Sequence, residues 1–357
     1  MTRFHPLADF GGLAAGGKRV PPMPALVMLA ALLALTGCGR AQLQPAGPFV
    51  MEPALHAESI VTPDGYRLPL HRWSPEGKPA AVVLALHGFN DYGKAFENLA
   101  PVLVEEQELA LYAYDQRGFG GTAKPGIWPG TETLVADAAT AVGLLRRRHP
   151  DVPLYLVGES MGAGVVLLLL AEAQPASVDG AVLIAPAVWG AETTPWYQRF
   201  SLWLAMRTMP GAYFTSEPVR RLGIRPTDDP EVMRQLSQDP LVQKGARVDA
   251  LQGVARLMDK AAGVSALPVP ALVLYGLEDH IIPAEAVCLW LRRLEMPDAG
   301  EVRVALYPDG YHMLTRYTGS RQVIGDIAAW LAPAAVDRLP SGNGHRPSVA
   351  SEIVCNP

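Results

Sequence analysis

The amino-acid sequence predicts an α/β fold: a mostly parallel sheet with helices on both faces, opened by an antiparallel hairpin. From residue 80 onward, short continuous apolar runs alternate with longer helical patterns, which is typical of strands buried on both faces. Loops of glycine and polar residues follow these apolar runs. Before the alternation begins, two β-rich runs flank the turn residues Pro63, Asp64 and Gly65, which indicates the hairpin.

The composition limits the classes of function. Of the 357 residues, 49% are hydrophobic and 18% charged, so the chain supplies a sizeable core and is not wholly disordered. The 30 Lys and Arg residues are outnumbered by 35 Asp and Glu residues, giving a formal net charge of −5. A basic surface for nucleic acid is therefore not expected. The sequence has no Walker-type nucleotide loop, and we expect no metal or organic cofactor.

Residues 1–37 are predicted to be an export signal. Basic residues precede the apolar run 25–35, whose eleven residues rise only about 16 Å as a helix, too little to cross a hydrocarbon core of about 30 Å. The run leads into Leu35-Thr36-Gly37-Cys38, which resembles the bacterial lipobox. The resemblance implies a lipid-modified Cys38 at the start of the mature chain and, with Gly39 next, an outer-membrane position facing the periplasm. An ordinary signal peptide with a chance cysteine is the alternative.

The folded domain is predicted to span residues 58–335. Residues 38–57 are interpreted as a tether, and residues 336–357, which lack apolar periodicity, as a flexible tail. Cys355 lies in this tail and is interpreted as an incidental free thiol, whereas Cys288 falls in an apolar helical pattern and is interpreted as a small core residue. Three cysteines are too few and too scattered to predict a disulfide framework or a thiolate metal site.

The elements of the domain follow from the period of the apolar residues. Continuous apolar runs predict strands at 80–86, 109–114, 153–157, 181–185, 271–275 and 302–306. Helical patterns predict helices at 94–106, 131–148, 162–173, 284–294 and 322–331. Because the strands alternate with helices, we expect them to pair in parallel, with their carboxyl ends at one edge of the sheet.

The segment 190–268 is too long for a connecting loop and is predicted to be an inserted helical cap. Trp196, Phe200 and Trp203 recur in it at helical spacing. These aromatic residues either pack the cap onto the body or form an apolar cover over a pocket that can hold an acyl chain, and both interpretations stay open. In the second interpretation all three contact the substrate.

The candidate nucleophile lies between a predicted strand and a predicted helix. Gly158-Glu159-Ser160-Met161-Gly162 matches the G-x-S-x-G nucleophile elbow, in which a sharp turn lifts the serine hydroxyl clear of the sheet. The small residues at both ends leave room for the adjoining strand and helix. The backbone N–H of Met161 is then directed at the developing oxyanion, where the helix N-terminus adds partial positive charge.

A serine hydroxyl needs a base, and the base needs a carboxylate that fixes its tautomer. Of the eight histidines, His312 is the best placed, because it follows the last predicted strand. Asp279 follows the strand after the cap and is the preferred acid, with Glu278, Asp309 and Asp115 as rivals. The resulting order of serine, acid and histidine is the one expected for an elbow on this kind of sheet.

The second oxyanion donor is expected in the loop after the first buried strand. Gly88 lets the backbone approach the serine there, and the N–H of Phe89 is the candidate donor. His87 precedes that glycine and is interpreted as a brace for the loop rather than as a catalytic base.

Taken together, these motifs resemble the α/β-hydrolase superfamily, in particular its monoacylglycerol lipase and lysophospholipase-like branch. The resemblance covers about residues 58–333 and rests on motifs in the family's order: His87-Gly88 with Asn90-Asp91, the run 115–120, the elbow 158–162, the run 276–283 and Gly310-Tyr311-His312. It implies a serine hydrolase with a cap, in which Ser160 attacks a carboxylic ester of a small lipid-like substrate and forms an acyl-enzyme.

Other functions fit the same motifs. A proline iminopeptidase-like enzyme shares the fold and the cap, and its substrate amine would need acidic groups in the cap, of which Glu192, Glu217, Asp228 and Asp229 are available. An acyltransferase would pass the acyl group to an alcohol instead of water. A non-catalytic binding lipoprotein on the same scaffold is a third alternative, and it usually comes with an incomplete triad.

Overall fold

The computed structural model describes residues 40–172, 178–215, 217, 223–295, 302–332 and 338–356. The predicted export signal and Cys38 lie outside the described residues. At the centre of the described part is a ten-stranded sheet in the order β1-β2-β3-β5-β4-β6-β7-β10-β11-β12, and β8 and β9 form a separate pair. The strands are β1 (Ala54–Leu55), β2 (Ser59–Val61), β3 (Arg67–Trp73), β4 (Ala81–Leu86), β5 (Leu109–Tyr114), β6 (Leu154–Glu159), β7 (Gly180–Ile184), β8 (Tyr213–Thr215), β9 (Gly245–Arg247), β10 (Ala271–Gly276), β11 (Val302–Tyr307) and β12 (Gly344–His345).

The six strands β5, β4, β6, β7, β10 and β11 pair in parallel, and this pairing places the functional loops at one edge. All six consist mainly of apolar residues that are buried on both faces, because helices cover the sheet on each side. The expected hairpin is present, since β2 and β3 pair antiparallel. The predicted α/β fold, a mostly parallel sheet with helices on both faces, is confirmed.

The described part has eight helices, of which six cover the two faces of the sheet. They are α1 (Thr131–Arg148), α2 (Met161–Glu172), α3 (Trp196–Thr208), α4 (Pro230–Gln238), α5 (Val248–Ala262), α6 (Ala284–Arg293), α7 (Ser320–Leu331) and α8 (Pro347–Cys355). Buried residues of α1, α2, α5, α6 and α8 join one hydrophobic core, and those of α7 with the segment 95–103 join a second core on the opposite face. Among the helices described, none combines the length and the apolar character needed to cross a membrane.

One predicted helix is replaced by two short segments. In place of a helix at 94–106, the chain forms a 3₁₀ turn at Gly93–Phe96 and a π-helical segment at Val102–Glu106. Pro101 lies between them and has no N–H to donate, so a continuous α-helical ladder is interrupted at this point.

The predicted tether is not a free linker. Gln44 is buried: its backbone N–H donates to the Trp128 carbonyl at 3.0 Å and its side-chain amide donates to the Lys124 carbonyl at 3.0 Å. Ala54 begins the edge strand β1, upstream of the predicted domain start at residue 58. The prediction of a loose tether over 38–57 is therefore wrong for the described residues from Arg40 onward, because polar groups of the body hold this backbone.

The predicted flexible tail is also wrong, at least for the described residues 338–356. β12 pairs with β11, and α8 packs against α6. A disulfide joins Cys288 on α6 to Cys355 on α8. The interpretations of Cys355 as an incidental free thiol and of Cys288 as a small core residue were therefore wrong, because the two cysteines pair. A separation of 67 residues in sequence is closed by the packing of α8, which the apolar pattern did not indicate.

Between β7 and β10 the chain forms α3, the β8–β9 pair, α4 and α5. Its last helix belongs to the body, because Leu257 and Ala261 of α5 are fully buried beside Gly164 of α2. By contrast, none of the residues of α3 is buried.

Candidate active site

The turn between β6 and α2 holds Ser160 in a left-handed conformation, with φ of 54°. Such a φ is unfavourable for any residue other than glycine, so the neighbouring segments must hold the Ser160 backbone in this conformation. A Cβ at Gly158 would lie 2.5 Å from the Ala163 backbone nitrogen, and one at Gly162 would collide with the Leu86 carbonyl. The two glycines of the elbow are therefore required by close backbone contact, and the turn presents the serine hydroxyl above the sheet edge.

The structure brings Ser160, Asp279 and His312 together from three loops. His312 Nε2 lies 2.9 Å from Ser160 Oγ, and His312 Nδ1 lies 2.7 Å from Asp279 Oδ2. The other oxygen of Asp279 accepts hydrogen bonds from the backbone N–H groups of Ile281 at 2.7 Å and Ile282 at 3.0 Å. These bonds fix the carboxylate, which in turn orients the imidazole so that Nε2 faces the hydroxyl.

Two opposing effects set the proton affinity of His312. Burial acts to lower the pKa of His312, but the charge of Asp279 and its hydrogen bond outweigh this effect, and the pKa of His312 is raised above its ordinary value of 6.5. The imidazole is thus a stronger base than a free histidine, which suits removal of a hydroxyl proton.

The rival carboxylates lie elsewhere. Glu278 is exposed and its carboxylate lies 3.7 Å from His280, and Asp309 is exposed in the turn after β11. Asp115 is buried and accepts hydrogen bonds from the N–H groups of Gly93 at 2.9 Å and Gly121 at 2.8 Å, so it holds loops together. Asp279 is the carboxylate that contacts His312.

The loop after β4 lies directly beside the nucleophile. A Cβ at Gly88 would lie 3.4 Å from the Ser160 Cβ, so the backbone approaches the serine closely there. His87 is fully buried; its Nε2 accepts from the Gln116 N–H at 2.9 Å and its Nδ1 donates to the Gly88 carbonyl at 2.8 Å. Burial lowers the pKa of His87, so the ring is neutral and acts as a brace. Phe89 follows Gly88 and lines the same cavity as Ser160, and Met161 begins α2 directly after the serine.

A cavity of about 590 Å³ opens at Ser160 and His312. Most of its wall is apolar, and the apolar side chains that line it are Phe89, Ile224, Pro226, Met233, Leu236, Val242, Ile281 and Met313. Polar side chains line the rest of it: Asn90, Asp91, Thr215, Glu217, Ser237, Gln243 and Lys244. The cavity therefore offers an apolar surface for a chain and polar groups for a head group.

The cap aromatics predicted to contact the substrate do not line this cavity. Trp196, Phe200 and Trp203 lie on α3 with their side chains exposed, Trp196 by 75%. The expectation of an aromatic cover over the pocket is thus wrong: the cap contributes aliphatic and Met side chains from the segment 224–242 instead. Helical spacing indicated the helix correctly but contained no information on which way its apolar side chains point.

Sequence reasoning missed a buried charged cluster behind the nucleophile. Arg316 lies 2.7 Å from the Asp91 carboxylate and donates at 2.8 Å to the Glu159 carboxylate, and all three side chains are buried. Asp91 belongs to the loop beside Phe89, Glu159 directly precedes Ser160, and Arg316 follows His312 by four residues. Arg316 therefore ties the loop of His312 to the turn of the nucleophile and to the loop after β4. The one signal of this cluster in the sequence was that charged residues stand next to the ends of apolar strands.

No group of three His, Cys, Asp or Glu residues within the described ranges is arranged to hold a metal ion. The reactive groups that the structure brings together are the Ser160 hydroxyl, the His312 imidazole and the Asp279 carboxylate. A strained serine on a strand-to-helix turn, hydrogen-bonded to a buried His–Asp pair on an α/β sheet, defines a serine hydrolase of the α/β-hydrolase class.

Comparison with known proteins agrees with this class. The family model described as serine aminopeptidase, S33 (Hydrolase_4) matches residues 77–317, and the chain belongs to that family. It is 28% identical over 273 residues to a monoacylglycerol lipase of Mycolicibacterium smegmatis, covering 75% of this chain and 93% of that protein. It is 24% identical over 291 residues to human monoglyceride lipase, covering 76% and 89% of the two chains. A soluble variant of Saccharomyces cerevisiae monoglyceride lipase superposes with a TM-score of 0.63 at 20% identity, covering 81% of this chain and 97% of that one.

The pH dependence of activity is predicted to report the raised pKa of His312. Because only the neutral imidazole accepts the serine proton, kcat/KM on a soluble short-chain ester is expected to fall as the pH drops through a midpoint above 6.5. In Asp279→Asn the largest effect that raises this pKa is removed, so the midpoint moves to lower pH while kcat falls by about three to four orders of magnitude. The neighbouring Glu278→Gln is the matched control and leaves both values unchanged. An unshifted midpoint in Asp279→Asn contradicts this assignment.

Arg316→Met is predicted to destabilise the protein and to misplace the reacting groups. Removal of the cation leaves two buried carboxylates without compensation, which costs about 3–5 kcal/mol in the free energy of unfolding, measured in urea. The rate of Ser160 labelling by a fluorophosphonate is expected to drop under folding conditions, and Arg316→Lys restores part of it. Arg321→Met, at an exposed position on α7, is the control for truncation of an arginine. A labelling rate unaffected in folded Arg316→Met means that the cluster does not position the loops.

Proposed function

We propose that this protein hydrolyses carboxylic esters of lipid-like substrates of the monoacylglycerol or lysophospholipid type, through an acyl-enzyme on Ser160. The observation that carries the proposal is the position of the hydrogen-bonded Ser160–His312 pair at the edge of a cavity whose wall is mainly apolar. A single acyl chain fits such a wall, and the polar groups beside it suit a hydroxylated head group. The relatives named monoacylglycerol lipase and monoglyceride lipase support this substrate class.

In the proposed mechanism, Ser160 Oγ attacks the ester carbonyl while His312 Nε2 takes its proton. Asp279 stabilises the imidazolium that forms. The N–H groups of Phe89 and Met161 are the proposed donors to the oxyanion. His312 then gives the proton to the departing alcohol. Water attacks the acyl-enzyme with His312 again as the base, and the fatty acid leaves with Ser160 restored.

An aminopeptidase reaction is the second candidate, because the matching family model carries that description. It needs an acidic group in the cavity that can hold a substrate amine. Of the four cap residues considered for this role, Glu192 is paired with Arg293, Asp228 accepts from Thr318, and Asp229 caps α4. Only Glu217 among the four lines the cavity. The fit to an amine is therefore weaker than the fit to an acyl chain.

Ser160→Ala is predicted to abolish fluorophosphonate labelling and to lower turnover by at least about 10⁴-fold, because the nucleophile is lost. Ser348→Ala, which removes an exposed hydroxyl on α8 outside the cavity lining, is the matched control and keeps both activities. The wild-type protein is assayed with a monoacylglycerol, a lysophospholipid and a prolyl peptide, with and without added alcohol. Release of fatty acid supports the proposal. Faster release of proline favours the peptidase, transfer to the alcohol favours an acyltransferase, and a lack of labelling favours a binding protein.

We propose in addition that the protein is exported and held by a lipid on Cys38, on the outer membrane facing the periplasm. The disulfide Cys288–Cys355 supports export, because disulfides persist in oxidising compartments and are rare in a reducing cytosol. When the full chain is expressed in a bacterium with labelled palmitate, the label is expected on the wild-type protein and not on Cys38→Ser, which leaves the membrane fraction. An unlabelled wild-type protein that retains residues 1–37 contradicts the anchor.

A further inference from the structure

One stretch of the cap forms a wall of the active-site cavity and also bonds to the loop that carries Phe89. We call residues 236–244 the strap and residues 87–92 the oxyanion loop. The strap comprises the end of α4 and the segment that leads to β9. Its residues that line the cavity are Leu236, Ser237, Val242, Gln243 and Lys244. Leu236 and Val242 supply apolar surface, so an acyl chain that lies in the cavity can contact the strap.

Hydrogen bonds join the strap to the end of the oxyanion loop. The Gln243 backbone N–H donates to the Asn90 carbonyl at 2.9 Å, and the Tyr92 hydroxyl donates to Asp239 Oδ2 at 2.7 Å. Asn90 and Tyr92 stand on either side of Asp91, whose carboxylate belongs to the buried charged cluster. The cap therefore holds the backbone on both sides of a residue that the body also holds.

The side chain of Gln243 extends this contact to a second loop. Its amide donates to the Gly118 carbonyl at 2.8 Å. The next residue, Phe119, packs its ring edge-on against the rings of Phe89 and His87, with centroids 5.5 Å and 5.7 Å apart. Gln243 thus bonds both to the backbone directly after Phe89 and to the loop that packs on the Phe89 ring.

The backbone of the oxyanion loop is strained where the strap holds it. Asn90 has a left-handed φ of 67°, which is unfavourable for any residue other than glycine. The N–H of Phe89, the proposed oxyanion donor, lies in the chain immediately before this residue. An oxyanion donor acts only within hydrogen-bond distance, and the loss of one donor costs about 10²–10³ in kcat. A small displacement of the loop therefore affects the chemical step.

The strap is itself bonded into one unit. The Asp239 carboxylate accepts from the Leu241 N–H at 2.8 Å, and Lys244 donates to the Asp239 carbonyl at 2.6 Å and to the Leu236 carbonyl. Burial and the hydrogen bond to Asp239 raise the pKa of Tyr92, so its hydroxyl stays protonated and donates at neutral pH. A displacement of the wall at Leu236 is thus passed to Asp239 and on to Tyr92.

We propose that Tyr92 and Gln243 are positioning residues, through which contact of an acyl chain with the strap sets the oxyanion loop for reaction. Binding energy of the chain is then realised at the carbonyl that reacts, so a longer chain raises kcat and does not only lower KM. The inference rests on the proposed ester hydrolysis at Ser160. It assigns the preference for acyl-chain length to the bonds between the strap and the oxyanion loop.

The test compares p-nitrophenyl acetate with p-nitrophenyl octanoate, which differ only in the acyl chain. In the wild-type protein kcat is expected to rise about tenfold from acetate to octanoate. Tyr92→Phe and Gln243→Ala are each expected to reduce this rise to less than about twofold, with a larger change in kcat than in KM for octanoate. Asp239→Asn keeps a partner for the Tyr92 hydroxyl and retains the rise, whereas Asp239→Ala loses it.

Two matched controls are expected to keep the wild-type rise in kcat. Gln238→Ala removes an exposed glutamine of α4 that bonds to Arg234, and Tyr112→Phe removes a buried tyrosine hydroxyl whose partner is His149. Folding of every variant is checked by urea titration. If Gln243→Ala does not fold, Gln243→Glu takes its place, because a carboxylate of the same size cannot donate to the Gly118 carbonyl.

Three outcomes overturn the inference: a wild-type kcat that is independent of chain length, a loss of kcat by the same factor for both esters in Tyr92→Phe and Gln243→Ala, or a change confined to KM. Release of fatty acid from a monoacylglycerol is measured in parallel. Release together with any of these outcomes leaves the proposed function standing. A chain-length effect that both variants remove, without release from the monoacylglycerol, supports the inference and removes the proposed substrate class.

Discussion

The turn at Ser160 is the constraint on which the rest of the site depends. A left-handed φ at a residue with a side chain costs about 1–2 kcal/mol, and the pairing of neighbouring segments holds it in place. The Ser160 N–H donates to the Ile184 carbonyl at 2.9 Å, and the Ser160 carbonyl accepts from Gly164 at 3.1 Å and Ala187 at 3.2 Å. The strand β7, the helix α2 and the loop after β7 thus converge on one residue. Because these contacts fix the backbone of the turn, the Ser160 hydroxyl is directed to His312.

Much of this arrangement could be predicted because its signals are local. The helix at residues 131–148 follows from an apolar period that Gly130 and His149 bound, and the elbow follows from five consecutive residues that only one kind of turn explains. Parallel pairing then brings distant loops to one edge, so the order of serine, acid and histidine along the chain was enough to select Asp279 and His312. Strand boundaries deviated by a residue or two, since burial changes little at the ends of a strand.

The features that escaped prediction depend on contacts between segments far apart in sequence. Asp91 and Arg316 are 225 residues apart in the sequence, and their side chains meet only after the sheet has formed. Their spacing in the sequence therefore gives no signal of the ion pair. The disulfide likewise requires α8 to pack on α6. A parity argument was available, because the lipid proposed on Cys38 takes that cysteine out of the count and leaves two that can pair under the proposed export. The outward orientation of α3 had no such signal, since the same apolar period describes a buried helix and an exposed one.

The charged cluster also explains why the basicity of His312 is controlled by its nearest partner. Glu159 acts to raise the pKa of His312 and Arg316 acts to lower it, so their effects oppose each other at the imidazole. Asp279 is then left as the dominant influence against burial. A cluster that ties three loops together can therefore sit directly behind the nucleophile without setting the protonation of the base, and loop positioning and proton affinity are carried by different residues.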